Sequence, residues 1–200
     1  MEPSFLAKEE VRQYHEKLQK KLDHKRYEHT LGVAYTAACM AMAHGESVEK
    51  AYLAGLLHDN AKCLSEEKKK VLCKKYELIP SAAEAANHDL LHAKLGAYQA
   101  RDKYGVQDAE IISAIMWHTT GKPDMTMLEK IIYIADFIEP GRKKYYRMDE
   151  VRRHAFTDLD TAMYLILENT IMYLEQKGAV IDEITKETFA FYKSCIKDTF

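Results

Sequence analysis

Four histidines and two aspartates are the residues of this chain best suited to chemistry. They are His29, His58, His92 and His118, with Asp59 beside His58 and Asp136 inside the apolar stretch "IIYIADFIEP". Each histidine falls in a different helical segment, near one end or facing the apolar stripe. A carboxylate buried in an apolar helix costs roughly several kcal/mol unless a cation or a hydrogen-bond network compensates it. One metal centre would account for all six residues together. Imidazole nitrogens combined with carboxylate oxygens suit iron, manganese, cobalt or zinc, and the lack of thiolates disfavours structural zinc. One open catalytic ion needs fewer ligands than this. Two ions are served if Asp59 bridges them through its two oxygens, with His29, His58, Asp59 and Asp136 on one ion and Asp59, His92 and His118 on the other. Two divalent ions, set against two aspartates and a bridging hydroxide, leave one net positive charge to hold a polyphosphate. Taken singly, each histidine is more ordinarily a core or surface residue, and His58-Asp59 a plain helix end. The joint order H…HD…H…H…D favours the metal centre.

Other residues could serve such a centre. Lys62 lies four positions after His58, one turn on if the helix continues, so its ammonium can reach a bound phosphate. Arg26 precedes His29 by three positions on the same face, and its alternatives are a phosphate contact or a surface ion pair. Arg142 follows Asp136 by six positions beyond a Pro-Gly turn, where its guanidinium fork can grip phosphate oxygens. Asn60 and Ala61 offer amide and backbone groups at a helix end, or merely cap it. Asp89 is an N-cap, a support for His92 or a substrate contact, with the cap favoured. Asp59 and Lys62 are expected to be catalytic, and Arg26, His29, Asp59, Asn60, Ala61, Lys62, Asp89, Asp136 and Arg142 to contact nucleotide. His15, His24 and His154 read as surface residues, and His44 before Gly45 suits a helix C-terminus.

The elements that must position these groups are helical throughout. Four prolines and eight glycines punctuate the chain, and the period between them is that of a helix. Val11, Tyr14, Leu18 and Leu22 form the stripe of a first helix. Leu31, Ala34, Tyr35, Ala38, Cys39 and Met42 form that of a second, which follows Asp23 and ends at Gly45. Ser47 is a cap for a third helix running into "AGLLHD", and Ser65 opens a short lysine-rich helix expected to be an exposed flap. "SAAE" (81–84) and "TMLE" (126–129) are capping boxes, and Asp108 caps "AEIISAIMWH". Pro140 and Gly141 end the helix that carries Asp136. After a loop of charge and tyrosine, a long helix runs from about Asp158 to Lys177, and a last one from about Thr185 to Lys197. Period-2 alternation is lacking, so the fold class is all-α, and residues 1–200 are expected to form a single domain.

The chain has 200 residues, of which 47% are hydrophobic and 30% charged, so a core and a solvated surface are both available. A net charge of −2 argues against a nucleic-acid polymer or an anionic membrane as partner. No signal peptide or apolar run of membrane length is evident. Cys39, Cys63, Cys73 and Cys195 are scattered, with no Cys-x-x-Cys pair, as expected of small buried hydrophobes in a reducing cytoplasm.

Six stretches give the chain a recognisable character: "RYEHTLGVA" (26–34), "AGLLHDNAK" (54–62), "LLHAKLGA" (90–97), "AIMWHTTG" (114–121), "LEKIIYIADFIEPGR" (128–142) and "DLDTAM" (158–163). Their order and spacing resemble the HD-domain metal-dependent phosphohydrolases, and more narrowly the YqeK family of symmetrical diadenosine tetraphosphate hydrolases. The resemblance implies an HD-domain helical bundle, two metal ions with Fe2+ favoured over Mn2+, Co2+ or Zn2+, and hydrolysis of a small dinucleoside polyphosphate to two ADP. It also implies that "TIMYLEQKGAVIDEIT" (170–185) lines a nucleotide pocket. A homodimer is compatible with it. Competing readings are another nucleotide phosphohydrolase (for deoxynucleoside triphosphates, guanosine tetraphosphate or nucleoside monophosphates), a sensor that binds nucleotide without cutting it, and a helical protein with incidental histidines.

Overall fold

Helix starts follow local side-chain chemistry. In a computed structural model, which describes residues 5–197, a short 3-10 turn at Phe5–Ala7 precedes α1 (Glu9–Lys21), α2 (His24–His44), α3 (Val48–Leu57) and α4 (Glu66–Lys75). Next come α5 (Ala82–Ala86), a 3-10 turn at His88–Leu90, α6 (Leu91–Tyr104), α7 (Ala109–Trp117) and α8 (Met127–Ile138). The chain continues through α9 (Met148–His154), α10 (Leu159–Gln176) and α11 (Glu183–Lys197). No strand occurs among the described residues, as the helical period requires. Asp23, Ser47, Ser65, Asp108 and Asp158 each accept a backbone N–H of the first turn they precede. Ser81 with Glu84 and Thr126 with Glu129 close full capping boxes. Such contacts satisfy orphan donors and contribute about 1 kcal/mol each.

α8 is the hub. Its residues Ile131, Ile132, Tyr133, Ile134 and Ala135 are fully buried, so this central stretch is enclosed on every side, and α2, α3, α7 and α10 pack around the helix. Asp136 sits in its last turn, where one end of this hub meets the ends of α2, α3 and α7.

α2 corrects the expected stripe. Its buried residues are Thr30, Val33, Ala34, Ala37, Ala38, Met40 and Ala41, whereas Tyr35 and Met42 are exposed. Small side chains, not large ones, make the inner face because α3 lies against it at backbone distance. A Cβ added at Gly55 would stand 2.9 Å from Ala34 Cα. This close approach places the end of α3, with its histidine and aspartate, against the start of α2.

Three further expectations change. α4 is not a free flap: Cys73 packs with Ala61, Leu91 and Leu95, and the buried Lys69 pairs with Glu66 and Asp89, each at 2.9 Å. His15 is not a surface residue but lies between two phenols, with Nδ1 2.9 Å from Tyr27 Oη and Nε2 3.0 Å from Tyr52 Oη. Burial holds its pKa below the ordinary value. Cys39 and Cys63 are exposed, so only Cys73 behaves as a fully buried hydrophobe.

Candidate metal centre and its cleft

The question posed by "HDNAK", cap or active site, has one answer covering both. His58 ends α3, and its Nδ1–H donates to Gly55 O at 2.6 Å, satisfying a carbonyl the helix leaves free. His118 ends α7 and donates from Nδ1 to Ile115 O at 2.7 Å. His92, at the start of α6, donates from Nδ1 to Asp89 O. His29 lies within α2 and reaches Glu139 Oε1 at 3.0 Å. Every imidazole thus commits its Nδ1 hydrogen, which leaves Nε2 as the free lone pair.

The four Nε2 atoms converge on two carboxylates. Asp59 Oδ2 faces His58 Nε2 at 3.3 Å and His29 Nε2 at 3.8 Å. Asp59 Oδ1 faces His92 Nε2 at 3.1 Å and His118 Nε2 at 3.9 Å. Asp136 Oδ1 approaches His29 Nε2 at 2.9 Å and His58 Nε2 at 3.7 Å. Yet the buried Nε2 atoms of His29 and His58 have no aligned hydrogen-bond partner. His92 Nε2 and His118 Nε2 stand 3.0 Å apart, both with lone pairs turned inward. Such an array is repulsive without shared positive charge, and this donor chemistry fits divalent cations. Three overlapping groups have ligand atoms within 4.8 Å of one another: His29, His58 and Asp59; His58, His118 and Asp136; Asp59, His92 and His118. The first falls within one expected set but lacks Asp136, the third has the members of the other, and the second places His118 with His58 and Asp136.

Burial governs the protonation. His118 is pushed down to about 3 by burial, then by repulsion from His92 and His58, so it is neutral at ordinary pH. Burial alone would raise Asp59, but His58 and His92 beside it hold it well below the usual carboxylate range. Asp136 is likewise held low against its burial by His29, Arg142 and His58. Burial opposes the charged form of His58, and the two carboxylates more than offset it, raising its pKa.

Two arginines guard the carboxylates. Arg26 Nη1 donates to Asp59 Oδ2 at 2.8 Å, so its partner is the site and not a surface acid. Arg142 donates from Nε to Asp136 O at 2.6 Å and from Nη2 to Asp136 Oδ1. Lys62 Nζ lies 3.4 Å from His92 Nδ1. That hydrogen already goes to Asp89, so the contact is proximity of a cation and not a bond. Lys62, Arg26, Arg142, His92, His118 and Asp136 line a pocket of about 190 Å³.

Asn60 and Ala61 do not line it. The Asn60 carboxamide donates to Leu57 O at 2.7 Å and Gly96 O at 2.9 Å, tying the end of α3 to α6, and Ala61 is fully buried against Leu91 and Leu95. The Asp89 cap is corrected too. Asn87 accepts the Asp89 N–H at the 3-10 turn, and the Asp89 carboxylate turns to Lys69. What Asp89 lends the site is its main-chain carbonyl. Glu139 was not singled out in the sequence, where it reads as a helix end; the only signal was a second acid three residues after Asp136.

Beside the small pocket opens a cleft of about 1480 Å³, sharing Arg26, Thr119, Phe137 and Arg142 with it. Its walls include Tyr145, Tyr173, Leu174 and Val180, so the 170–185 stretch does line it. Pockets for one drug-sized ligand hold about 300–1,000 Å³. This cleft exceeds that range, and its two guanidiniums sit where it meets the histidine cluster.

Residues 26–141 match the HD domain family. The symmetrical bis(5'-nucleosyl)-tetraphosphatase of Bacillus subtilis is 39% identical, over 88% of this chain and 91% of its own length. That of Staphylococcus aureus is 36% identical, over 86% and 89%. A crystal structure from Clostridium acetobutylicum, described as an HD superfamily hydrolase involved in NAD metabolism, superposes with a TM-score of 0.88 at 39% identity, covering 92% of this chain and 97% of that one. The chain belongs to the HD-domain family and, within it, to the family of these tetraphosphatase relatives.

Proposed function

We propose that this chain hydrolyses diadenosine tetraphosphate symmetrically to two molecules of ADP, using two divalent ions of which iron is the favoured kind. One observation carries the dinuclear reading: the two oxygens of Asp59 face different imidazole pairs, His29 with His58 and His92 with His118. Bound there, the ions would supply an activated water and neutralise charge on the anhydride. The names of the curated relatives support the substrate, and a cleft too large for one small ligand suits a dinucleotide.

The chain's own side chains would do the rest. Arg26 and Arg142, at the mouth of the metal pocket, would hold non-bridging phosphate oxygens in bidentate fashion and orient the chain of phosphates. Lys62 would place an ammonium beside the attacked phosphorus, where negative charge accumulates. Phe137, Tyr145 and Tyr173 would cover apolar base surface. The chain would act as a single domain over residues 1–200, in the cytoplasm, with neither a nucleic-acid polymer nor a membrane as partner. No described helix is long and apolar enough to cross a membrane.

Product identification tests the reading. Protein loaded anaerobically with Fe2+ and given diadenosine tetraphosphate should release ADP alone. AMP with ATP, or inorganic phosphate, would refute symmetrical cleavage. Lys62→Ala should retain its metal but slow hydrolysis by roughly a hundred- to a thousand-fold, the loss of one charged transition-state contact. Unchanged kinetics would return Lys62 to the solvent.

A further inference from the structure

The four imidazoles solve one problem in two ways. His58 and His118 lie at helix C-termini, where free carbonyls accept their Nδ1 hydrogens, and His92 donates to the Asp89 carbonyl in the turn that precedes α6. His29 is the sixth residue of α2, and mid-helix carbonyls are already taken by the helix itself. Its Nδ1 must borrow an acceptor from another element, and it finds Glu139 at the end of α8.

We propose that Glu139 is a positioning residue that locks the His29 ring and strengthens its Nε2 as a metal donor. The inference rests on the metal reading of this centre. Glu139 is only 4% exposed and is held from several sides. Its Oε1 faces His29 Nδ1 at 3.0 Å, while Oε2 accepts the Gly141 N–H at 2.5 Å. Arg152 ties down the adjacent backbone, reaching Ile138 O at 3.1 Å and Glu139 O at 3.3 Å. Asp136 and Glu139, three residues apart, face opposite nitrogens of one ring, so a single helix end grips His29 on both sides. An anionic acceptor on Nδ1 fixes the tautomer and makes the far nitrogen more basic than a carbonyl would.

Gly32 completes the arrangement. It lies three residues after His29 on α2, and a Cβ there would stand 2.6 Å from Glu139 Oε2. The carboxylate end is flexible, so an alanine would push it aside while leaving the helix intact or better formed. Gly32→Ala therefore disturbs the Glu139 contact without altering Glu139.

The test compares His29→Ala, Glu139→Gln, Glu139→Ala and Gly32→Ala as full chains. Metal-depleted protein is titrated with Mn2+ in competition with a chromophoric chelator, and the Tm of the metal-free form is recorded alongside. His29→Ala should lose one of two binding events. Glu139→Ala and Gly32→Ala should weaken that same event by about ten- to a hundred-fold, with Glu139→Gln smaller because it keeps the shape but not the charge. The metal-free Tm of Glu139→Gln and Gly32→Ala should stay near that of the parent, which a merely structural role would not allow together with weakened metal. Wild-type affinity in both Glu139→Gln and Gly32→Ala, with His29→Ala defective, would overturn the inference alone. Wild-type metal binding in His29→Ala would instead overturn the reading of the centre.

Discussion

Asp59→Ala should strip the protein of metal and lower turnover at least about a thousand-fold, since the lost charge stabilisation is several kcal/mol and each 1.36 kcal/mol is tenfold. The size of the effect follows from geometry. Asp59 faces all four imidazoles and also accepts from Arg26, and among the described residues no second carboxylate has one oxygen toward each histidine pair. Asp136 approaches only His29 and His58 within the same distances. Elemental analysis of the purified variant, paired with steady-state rates, checks the claim. Full metal content with full activity would end the bridging assignment.

Gly55→Val should destabilise the fold by about 3 kcal/mol, the upper part of the overpacking range. At about 2–4 °C per kcal/mol for a chain of this size, the midpoint of thermal unfolding should drop by roughly 6–12 °C. The reason is that the neighbour of the missing Cβ is backbone: Ala34 Cα at 2.9 Å and Ala34 N at 3.1 Å, neither of which can rotate away. The helices must part, and His58, three residues on, moves with α3. An unchanged melting temperature in a scanning experiment would mean that α2 and α3 do not meet as described.

The sequence and the structure agree most closely where the chemistry is local. Side-chain caps at Ser47 and Asp108 needed only a hydroxyl or carboxylate next to an apolar run, and Ser65 only a hydroxyl before two glutamates. The six clustered residues were legible because each is out of place in its own helix, and their order gave the set a shape. What escaped depended on neighbours. The inner face of α2 is rich in alanines, and a pattern that seeks large apolar side chains keeps Ala34 and Ala38 but turns the stripe toward the exposed Tyr35 and Met42. α9 follows Arg147, an N-cap residue with a positive φ of 61° and no side-chain cap, so no signal marks its start within its charged loop. Asn60 looked available to a ligand, but its partner Gly96 is 36 residues away. Glu139 has the same cause: its acceptor role exists only once α2 and α8 are side by side.

The six clustered side chains are drawn from α2, the ends of α3, α7 and α8, and the start of α6, so they span more than a hundred residues of chain. No fragment of the sequence owns the centre. An unfolded chain would offer a cation scattered imidazoles and little more, so affinity for an ion at the proposed centre would add directly to the cohesion of the whole bundle. At a free concentration a hundred times the dissociation constant, that coupling amounts to about 2.7 kcal/mol per site. Scarcity of the ion in the cell would then be felt as a shorter lifetime of the polypeptide as well as a slower reaction.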